Sequence, residues 1–173
     1  AVAARLPDCA GPVDLFGHSG GAQLAHRFAM LYPHRVAALH LAAAGWYCQP
    51  DETMPYPYGL ASGKDRLGTV WARRNAQGLP DFLRLPACVY VGTEDVTRDP
   101  ALRKKASLDA QQGRNRHARA RSYVAALNAA AERHGFEPRA RLVELIDCDH
   151  DVVRAITRNE LATCVLGARR ESQ

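Results

Sequence analysis

Ser19 is flanked by glycines in the sequence Gly17-His18-Ser19-Gly20-Gly21. The Gly-x-Ser-x-Gly pattern is typical of a serine that stands on a sharp turn between a strand and a helix and attacks acyl carbonyls. Because a serine hydroxyl is a weak nucleophile until a base takes its proton, the pattern requires a histidine from elsewhere in the chain. The N–H of Gly20, at the start of the next helix, is predicted to bind the oxyanion of a tetrahedral intermediate.

The glycines around Ser19 have a predicted steric role. A tight turn holds Ser19 in a strained backbone conformation with its side chain pointing outward. Cβ atoms at positions 17 and 21 would collide with the adjoining strand and helix, and glycine removes them.

His150 is the predicted base among the seven histidines. It follows the last predicted strand, in the sequence "LIDCDHDV", and ligands of open α/β sheets bind at the edge where the strands end. Five of the other histidines fall on predicted helices or inside a strand, where surface or packing roles are expected: His26, His34, His40, His117 and His134. His18 precedes the nucleophile and is a candidate to line the pocket, but its place next to Ser19 in the sequence is expected to point its side chain elsewhere.

The carboxylate that orients His150 is expected at the same sheet edge, after an intervening strand. The segment "VYVGTEDVTRDP" offers three candidates, Glu94, Asp95 and Asp99. Asp95 is favoured because it lies three residues beyond Gly92, and the other two remain alternatives. Three more carboxylates flank the histidine too closely in sequence to be its usual partner: Asp147, Asp149 and Asp151.

Alternating strands and helices are predicted to position these residues. Short apolar runs that end at glycine or proline indicate buried strands, and apolar residues at helical spacing indicate helices. The predicted strands are 12–16, 35–45, 86–92 and 140–146, and the predicted helices are 20–32, 116–134 and 151–166. This order predicts an α/β fold with a mostly parallel sheet and helices on both faces.

The segment 45–84 differs from the rest of the chain. It contains Pro50, Pro55 and Pro57, followed by a short predicted helix near 67–78. A long, proline-rich connection of this kind is predicted to pass over the sheet as a cap-like excursion, not as part of the core.

The composition is that of a globular protein, with 47% apolar and 24% charged residues. No apolar run is long enough to predict a membrane span. The net charge is +5, but the basic stretch 103–122 lacks interleaved aromatic residues, so a solvated helix face is expected there and nucleic-acid binding is not. Five cysteines without a Cys-x-x-Cys pair argue against a disulfide scaffold or a zinc site and favour small buried side chains and a cytoplasmic location.

The order Ser19, Asp95, His150 resembles the C-terminal part of an α/β-hydrolase, as does the stretch "LYPHRVAALHLAAAG" after the serine. The stretches "GWYCQPDETMPYPYGL" and "LDAQQGRNRHARARSYVAAL" are similar to a bacterial, esterase-like subgroup. The resemblance implies a partial α/β-hydrolase domain over 1–173, with 45–84 as its cap. The family's first strands, and the loop that gives the second oxyanion N–H, have no counterpart here. We therefore expect a fragment of a longer protein, or a chain that pairs with a missing segment.

The resemblance implies a serine hydrolase that cleaves an ester, thioester or related acyl group of a small molecule, with no metal or organic cofactor. Acyl transfer to an alcohol would use the same three residues, and a non-catalytic binding module is the alternative from a different class. The sequence indicates no oligomeric state. Six side chains of the excursion are predicted to line the acyl pocket: Trp46, Tyr47, Tyr56, Tyr58, Leu60 and Trp71.

Overall fold

The computed structural model describes residues 11–167, which form a four-stranded sheet flanked by helices. The strands are β1 (Val13–His18), β2 (Val36–Ala42), β3 (Ala87–Gly92) and β4 (Ala140–Leu145). They lie side by side in the order β1-β2-β3-β4, and every neighbouring pair is parallel. The predicted α/β class with a parallel sheet is confirmed.

Within the described residues, six α-helices connect or follow the strands. They are α1 (Gly20–Leu31), α2 (Arg66–Phe82), α3 (Ala106–Gln112), α4 (Arg116–Arg133), α5 (Val152–Arg158) and α6 (Leu161–Gly167), and a 3-10 turn at Pro33–Arg35 follows α1. Within the described part of the chain, no helix has both the length and the apolar character needed to cross a bilayer.

The sequence sets several helix ends through capping. Asp65 accepts a hydrogen bond from the N–H of Gly68 at the start of α2, and Asn115 accepts one from Ala118 at the start of α4. Such caps satisfy backbone donors that have no intrahelical acceptor. Helix α4 is followed by Gly135, whose φ of 72° lies in the left-handed region that glycine adopts freely at helix ends.

The sheet separates two apolar cores. On one face, α1, α2 and α4 pack over Leu39 and Leu41 of β2 and Val89 and Val91 of β3. On the other face, Ala155 of α5 and Leu161 of α6 pack over strand side chains that point the opposite way. These are Ala42, Tyr90 and Leu145. Alternate residues of a strand point to opposite faces, so both central strands are buried on both sides. The prediction of helices on both faces is also confirmed.

Helix α2 corrects the description of 45–84 as an excursion outside the core. It spans 17 residues and packs against α1. Its buried residues Ala72, Asn75, Leu79 and Phe82 recur at helical spacing, and the last two belong to the main core. This stripe is narrow and is separated by charged side chains, which is why the sequence indicated only a short helix.

The C-terminal part of the chain is more broken than predicted. The single helix predicted at 151–166 is two helices, α5 and α6, because Glu160 between them has a φ of 54°. Helix α3 was not predicted, since only Leu108 and Gln112 of its seven residues are buried.

The cysteines only partly follow their prediction as small buried side chains. Cys48 and Cys148 are buried, Cys88 is half-buried and Cys164 is exposed. Cys9 lies outside the described residues. The four described cysteines are all free thiols.

Candidate active site

Ser19, Asp95 and His150 meet at the edge of the sheet where the strands end. They lie in the loops after β1, β3 and β4, which parallel pairing brings to the same edge. The Oγ of Ser19 lies 3.1 Å from Nε2 of His150, and Nδ1 of His150 lies 2.9 Å from Oδ2 of Asp95. The carboxylate accepts a hydrogen bond from Nδ1–H, which leaves Nε2 free to accept the serine proton.

The backbone at Ser19 has the strained conformation predicted for it. Its φ is 52° and its ψ is −113°, an unusual combination for a residue with a side chain. Its N–H donates to the carbonyl of Ala42 at 2.8 Å, which ties the turn to the end of β2. The side chain is thereby held above the start of α1, facing His150.

Only one of the two flanking glycines has the steric role predicted for it. A Cβ on Gly17 would lie 2.5 Å from the carbonyl carbon of Gly21, a distance that real Cβ atoms do not show. A Cβ on Gly21 would meet no described atom within 4 Å. The predicted collision at position 21 is therefore wrong, because Gly21 already lies in the first turn of α1 with its α-carbon facing outward.

The loop that carries His150 is held by its own aspartates and by the neighbouring loop. Asp151 caps α5 by accepting from the N–H groups of Val153 and Arg154, and Asp149 accepts from the N–H of Asp151. The N–H of Glu94 donates to the carbonyl of Cys148 at 2.9 Å. Gly92 is needed at the end of β3, since a Cβ there would overlap this same carbonyl group.

Of the three acidic candidates after β3, Asp95 alone hydrogen-bonds His150. Its side chain is 2% exposed, whereas Glu94 is exposed. Asp99 instead caps the next turn through the N–H groups of Ala101 and Leu102. A hydrogen bond from the Arg116 guanidinium lowers the pKa of Asp99 to about 2.

Arg116 is a member of the site that the sequence analysis missed. It donates to Oδ1 of Asp95 at 3.3 Å and also hydrogen-bonds Asp99, and its side chain is 2% exposed. Burial lowers the pKa of Arg116, but the two carboxylates outweigh that effect and raise it, so the guanidinium stays charged. The predicted solvated face of 103–122 is wrong at this position.

Arg119 is the second buried arginine of α4, with 0% of its side chain exposed. It hydrogen-bonds the carbonyls of Gly45, Arg103 and Gly113 and pairs with Asp109. Arg116 and Arg119 are three residues apart, and with Ala120 and Tyr123 they recur at helical spacing on one face of α4. This spacing indicates that both arginines point inward.

His18 lies beside the candidate base. Its ring centroid is 5.2 Å from that of His150, with the planes tilted by 31°. Burial lowers the pKa of His18, and the nearby His150 lowers it further. A neutral imidazole at this place can donate one hydrogen bond and accept another, so His18 is available to contact a bound molecule.

The other five histidines have separate roles, as predicted. His26 is fully buried, with Nδ1 2.8 Å from the carbonyl of Ala22 and Nε2 accepting from the N–H of Cys48 at 2.9 Å. The rest hydrogen-bond Tyr90 or Glu144 or lie exposed at helix ends: His40, His117, His34 and His134.

The predicted pocket lining is wrong for two of its six residues. Tyr47 and Leu60 belong to the main core, where Tyr47 stacks on Tyr123 with ring centroids 4.1 Å apart. Trp46 and Tyr58 form a small separate cluster, whereas Tyr56 and Trp71 are half-buried. A cap role for the loop that carries them stays a prediction.

Gly20 lies where the oxyanion prediction needs it. It is the first residue of α1, so its N–H has no intrahelical acceptor. Within residues 11–167, no three His, Cys, Asp or Glu side chains gather as a group that could hold a metal ion. The oxyanion role of Gly20 and the absence of a cofactor stay predictions.

Comparison with solved structures identifies the fold. The chain is similar to poly(aspartic acid) hydrolase-1 from Sphingomonas sp. KT-1, with a TM-score of 0.72 and 28% identity over 87% of this chain and 54% of that one. It is also similar to a poly(3-hydroxybutyrate) depolymerase from Bordetella parapertussis, with a TM-score of 0.75 and 29% identity over 96% of this chain and 53% of that one. The chain thus spans about half the length of these structures.

A more distant likeness supports the same architecture. A siderophore hydrolase from Aspergillus nidulans superposes with a TM-score of 0.50 at 15% identity, which bears on the fold alone. No protein-family model matches the sequence, and a search of the curated proteins found no match. From its parallel sheet and the two structures at 28% and 29% identity, the chain belongs to the α/β-hydrolase superfamily.

Proposed function

We propose that this chain carries the reactive centre of a serine hydrolase that cleaves an ester or related acyl bond through an acyl-enzyme. The observation that supports this most directly is the continuous hydrogen-bond chain from Ser19 through His150 to the buried Asp95. Each member has the chemical character that its role requires. The hydroxyl is the nucleophile, the imidazole is the base, and the carboxylate orients and stabilises the imidazolium.

The proposed reaction has two steps. Ser19 Oγ attacks the carbonyl carbon while its proton moves to Nε2 of His150, and the tetrahedral intermediate collapses as the imidazolium protonates the leaving alkoxide. Water then attacks the acyl-enzyme and gives a proton to the same nitrogen, and the imidazolium returns that proton to Oγ of Ser19 as the acyl–oxygen bond breaks and the acid leaves. The N–H of Gly20 stabilises the oxyanion in both steps; a second donor would add about 10²–10³ in rate.

Two similar structures at 28% and 29% identity support a proposal for the substrate class. Their names refer to a polyamide and a polyester, in which the units are joined by amide and ester bonds respectively. We propose an ester within or at the end of a flexible acyl chain as the substrate here, because Ser19 is only partly buried at the sheet edge.

A fluorophosphonate probe tests the proposed nucleophile. We expect one adduct on the peptide that contains Ser19, with loss of both the adduct and p-nitrophenyl ester turnover in Ser19→Ala. Ser62→Ala, which changes an exposed serine, is the matched control and should label normally. If the folded protein gave no adduct, or one that persisted in Ser19→Ala, the proposed nucleophile would be wrong and a binding role would take its place.

A further inference from the structure

A cluster of cations and aromatic rings includes one residue of α1, the helix that begins directly after Ser19. We call it the basic aromatic cluster; it consists of Arg27, Trp46, Tyr58, Arg103 and Lys105. The rings of Trp46 and Tyr58 are 7% and 5% exposed and meet edge to face with centroids 5.3 Å apart. The three cationic side chains contact these two rings.

The cations contact the rings at close range. The guanidinium carbons of Arg27 and Arg103 lie 5.0 Å and 5.9 Å from the centroid of the Trp46 ring. The Nζ of Lys105 lies 5.3 Å from that of Tyr58, whose hydroxyl accepts a hydrogen bond from Arg103 at 2.8 Å. The rings hold the cations by cation–π attraction without neutralising their charge.

These three cations lack a carboxylate partner within residues 11–167, in contrast to their neighbours. Arg98, Arg116 and Arg119, on the adjoining loop and helix, all form salt bridges. Two guanidinium groups near one ring carry like charge, and a bound anion would reduce their repulsion. The cluster therefore has the charge of an anion site.

Buried polar side chains fix the backbone beneath the cluster. Arg119 hydrogen-bonds the carbonyls of Gly45 and Arg103, directly before Trp46 and at one of the cations. Gln112 accepts from the N–H of Tyr47 at 3.0 Å and donates to its carbonyl at 2.7 Å. Because the backbone next to Trp46 and at Arg103 is held by these hydrogen bonds, only the cationic side chains need to be ordered when an anion binds.

The position of the cluster along α1 sets the length of the acyl chain that would connect it to Ser19. Arg27 lies eight residues further along the chain, which corresponds to about 12 Å along a helix. Gln23 lies between them in sequence, and its side chain lies next to Gly45, directly before Trp46, since a Cβ on Gly45 would lie 3.0 Å from its Nε2. An extended acyl chain covers such a distance.

We propose that the basic aromatic cluster binds a carboxylate at the far end of the acyl chain whose ester bond Ser19 attacks. The chemical class is a half-ester of a linear dicarboxylic acid, or an oligoester with a free acid end. As a statement about substrates, it rests on the proposed function. The carboxylate site itself is independent of turnover.

Kinetics with matched esters test the proposal. We expect kcat/KM to be higher for p-nitrophenyl half-esters of adipic, suberic or sebacic acid than for neutral esters of the same length, and the preference to fall with added salt. Arg27→Gln with Arg103→Gln should lower kcat/KM for the half-esters by about five- to tenfold and leave the neutral esters within about twofold. The control is Arg84→Gln, since Arg84 lies 4.3 Å from the Phe136 ring before β3, at the opposite edge of the sheet.

A binding experiment separates this proposal from the proposed reaction. In a Trp71→Phe background, Trp46 is the remaining tryptophan, and sebacate should change its fluorescence in a saturable way that the double variant loses. No saturable change at low salt, or equal binding by the double variant, would overturn the carboxylate site. Binding without hydrolysis of any ester would uphold the site and remove the reaction instead.

Discussion

The guanidinium of Arg116 lies 3.3 Å from Oδ1 of Asp95, the carboxylate oxygen that His150 does not use. The carboxylate is thus shared between a permanent cation on one side and a titratable imidazole on the other. Hydrogen bonds to both of its oxygens restrict the rotation of this buried carboxylate, so we expect Arg116 to position the imidazole through Asp95.

Replacing Arg116 with methionine should lower kcat/KM by about tenfold or more and reduce stability, since Asp95 would lose its buried partner. The loss should appear in kcat, because Arg116 holds the carboxylate that orients the base. Arg116→Lys should retain more kcat than Arg116→Met, and Arg121→Met, which removes an exposed arginine of the same helix, should match the wild type. A wild-type kcat in folded Arg116→Met would contradict this role.

The assignment of the acid can be tested by amide substitutions. Asp95→Asn should reduce kcat by up to about 10⁴-fold, because the amide favours the wrong imidazole tautomer. Asp99→Asn should have a far smaller effect, and Glu94→Gln almost none, since neither side chain hydrogen-bonds His150. Ester turnover by the three purified variants gives the order directly. A steep loss in Glu94→Gln would require a different acid.

Alanine substitutions at Gly17 and Gly21, the two outer glycines of the Gly-x-Ser-x-Gly motif, should have opposite effects on stability. Gly17→Ala places a methyl group against the backbone of Gly21 and should cost about 3 kcal/mol or more, or prevent folding. Gly21→Ala meets open space in a helical conformation and should raise stability by up to about 1 kcal/mol. Chemical denaturation measures both; destabilisation by Gly21→Ala would mean that this position is covered.

Burial of the neutral His26 side chain should make the folded protein less stable in acid. Burial lowers its pKa to about 3 from 6.5, so below about pH 6.5 the unfolded chain binds a proton that the folded chain does not. The contribution of His26 to the free energy of unfolding is therefore fully present above that pH. It falls toward pH 3 by up to about 1.4 kcal/mol per pH unit. His26→Gln should flatten the dependence in urea melts between those pH values, whereas His134→Gln, at an exposed position, should not.

Much of the fold and of the candidate site could be predicted because each signal is local. The apolar runs of β2 and β3 and the glycines around Ser19 act through neighbouring backbone, so a single sequence reveals them. Arg116 and Arg119 were not recognised because arginine is usually exposed, and only the carboxylates and carbonyls brought together by the fold make their burial favourable.

The misassigned aromatic residues have a related cause. Tyr47 and Trp46 are adjacent in sequence, yet one lies in the main core and the other in a separate cluster. The backbone of Tyr47 is held by Gln112, which is 65 residues away, so a contact that is distant in sequence fixes this segment. Composition identifies such a segment as aromatic but cannot orient it.

Strand registration connects these observations. His18 pairs with Ala42, Ala42 pairs with Tyr90, and Gly92 pairs with Leu145. The distance between the hydroxyl of Ser19 and the imidazole of His150 is thus fixed only when all four strands have docked in the correct alignment. In refolding experiments, reactivity of Ser19 toward a fluorophosphonate would serve as a conformational probe of the four-stranded sheet, and it should appear at the last step of assembly. A molecule with misaligned strands would not react, although circular dichroism would count its strands as native.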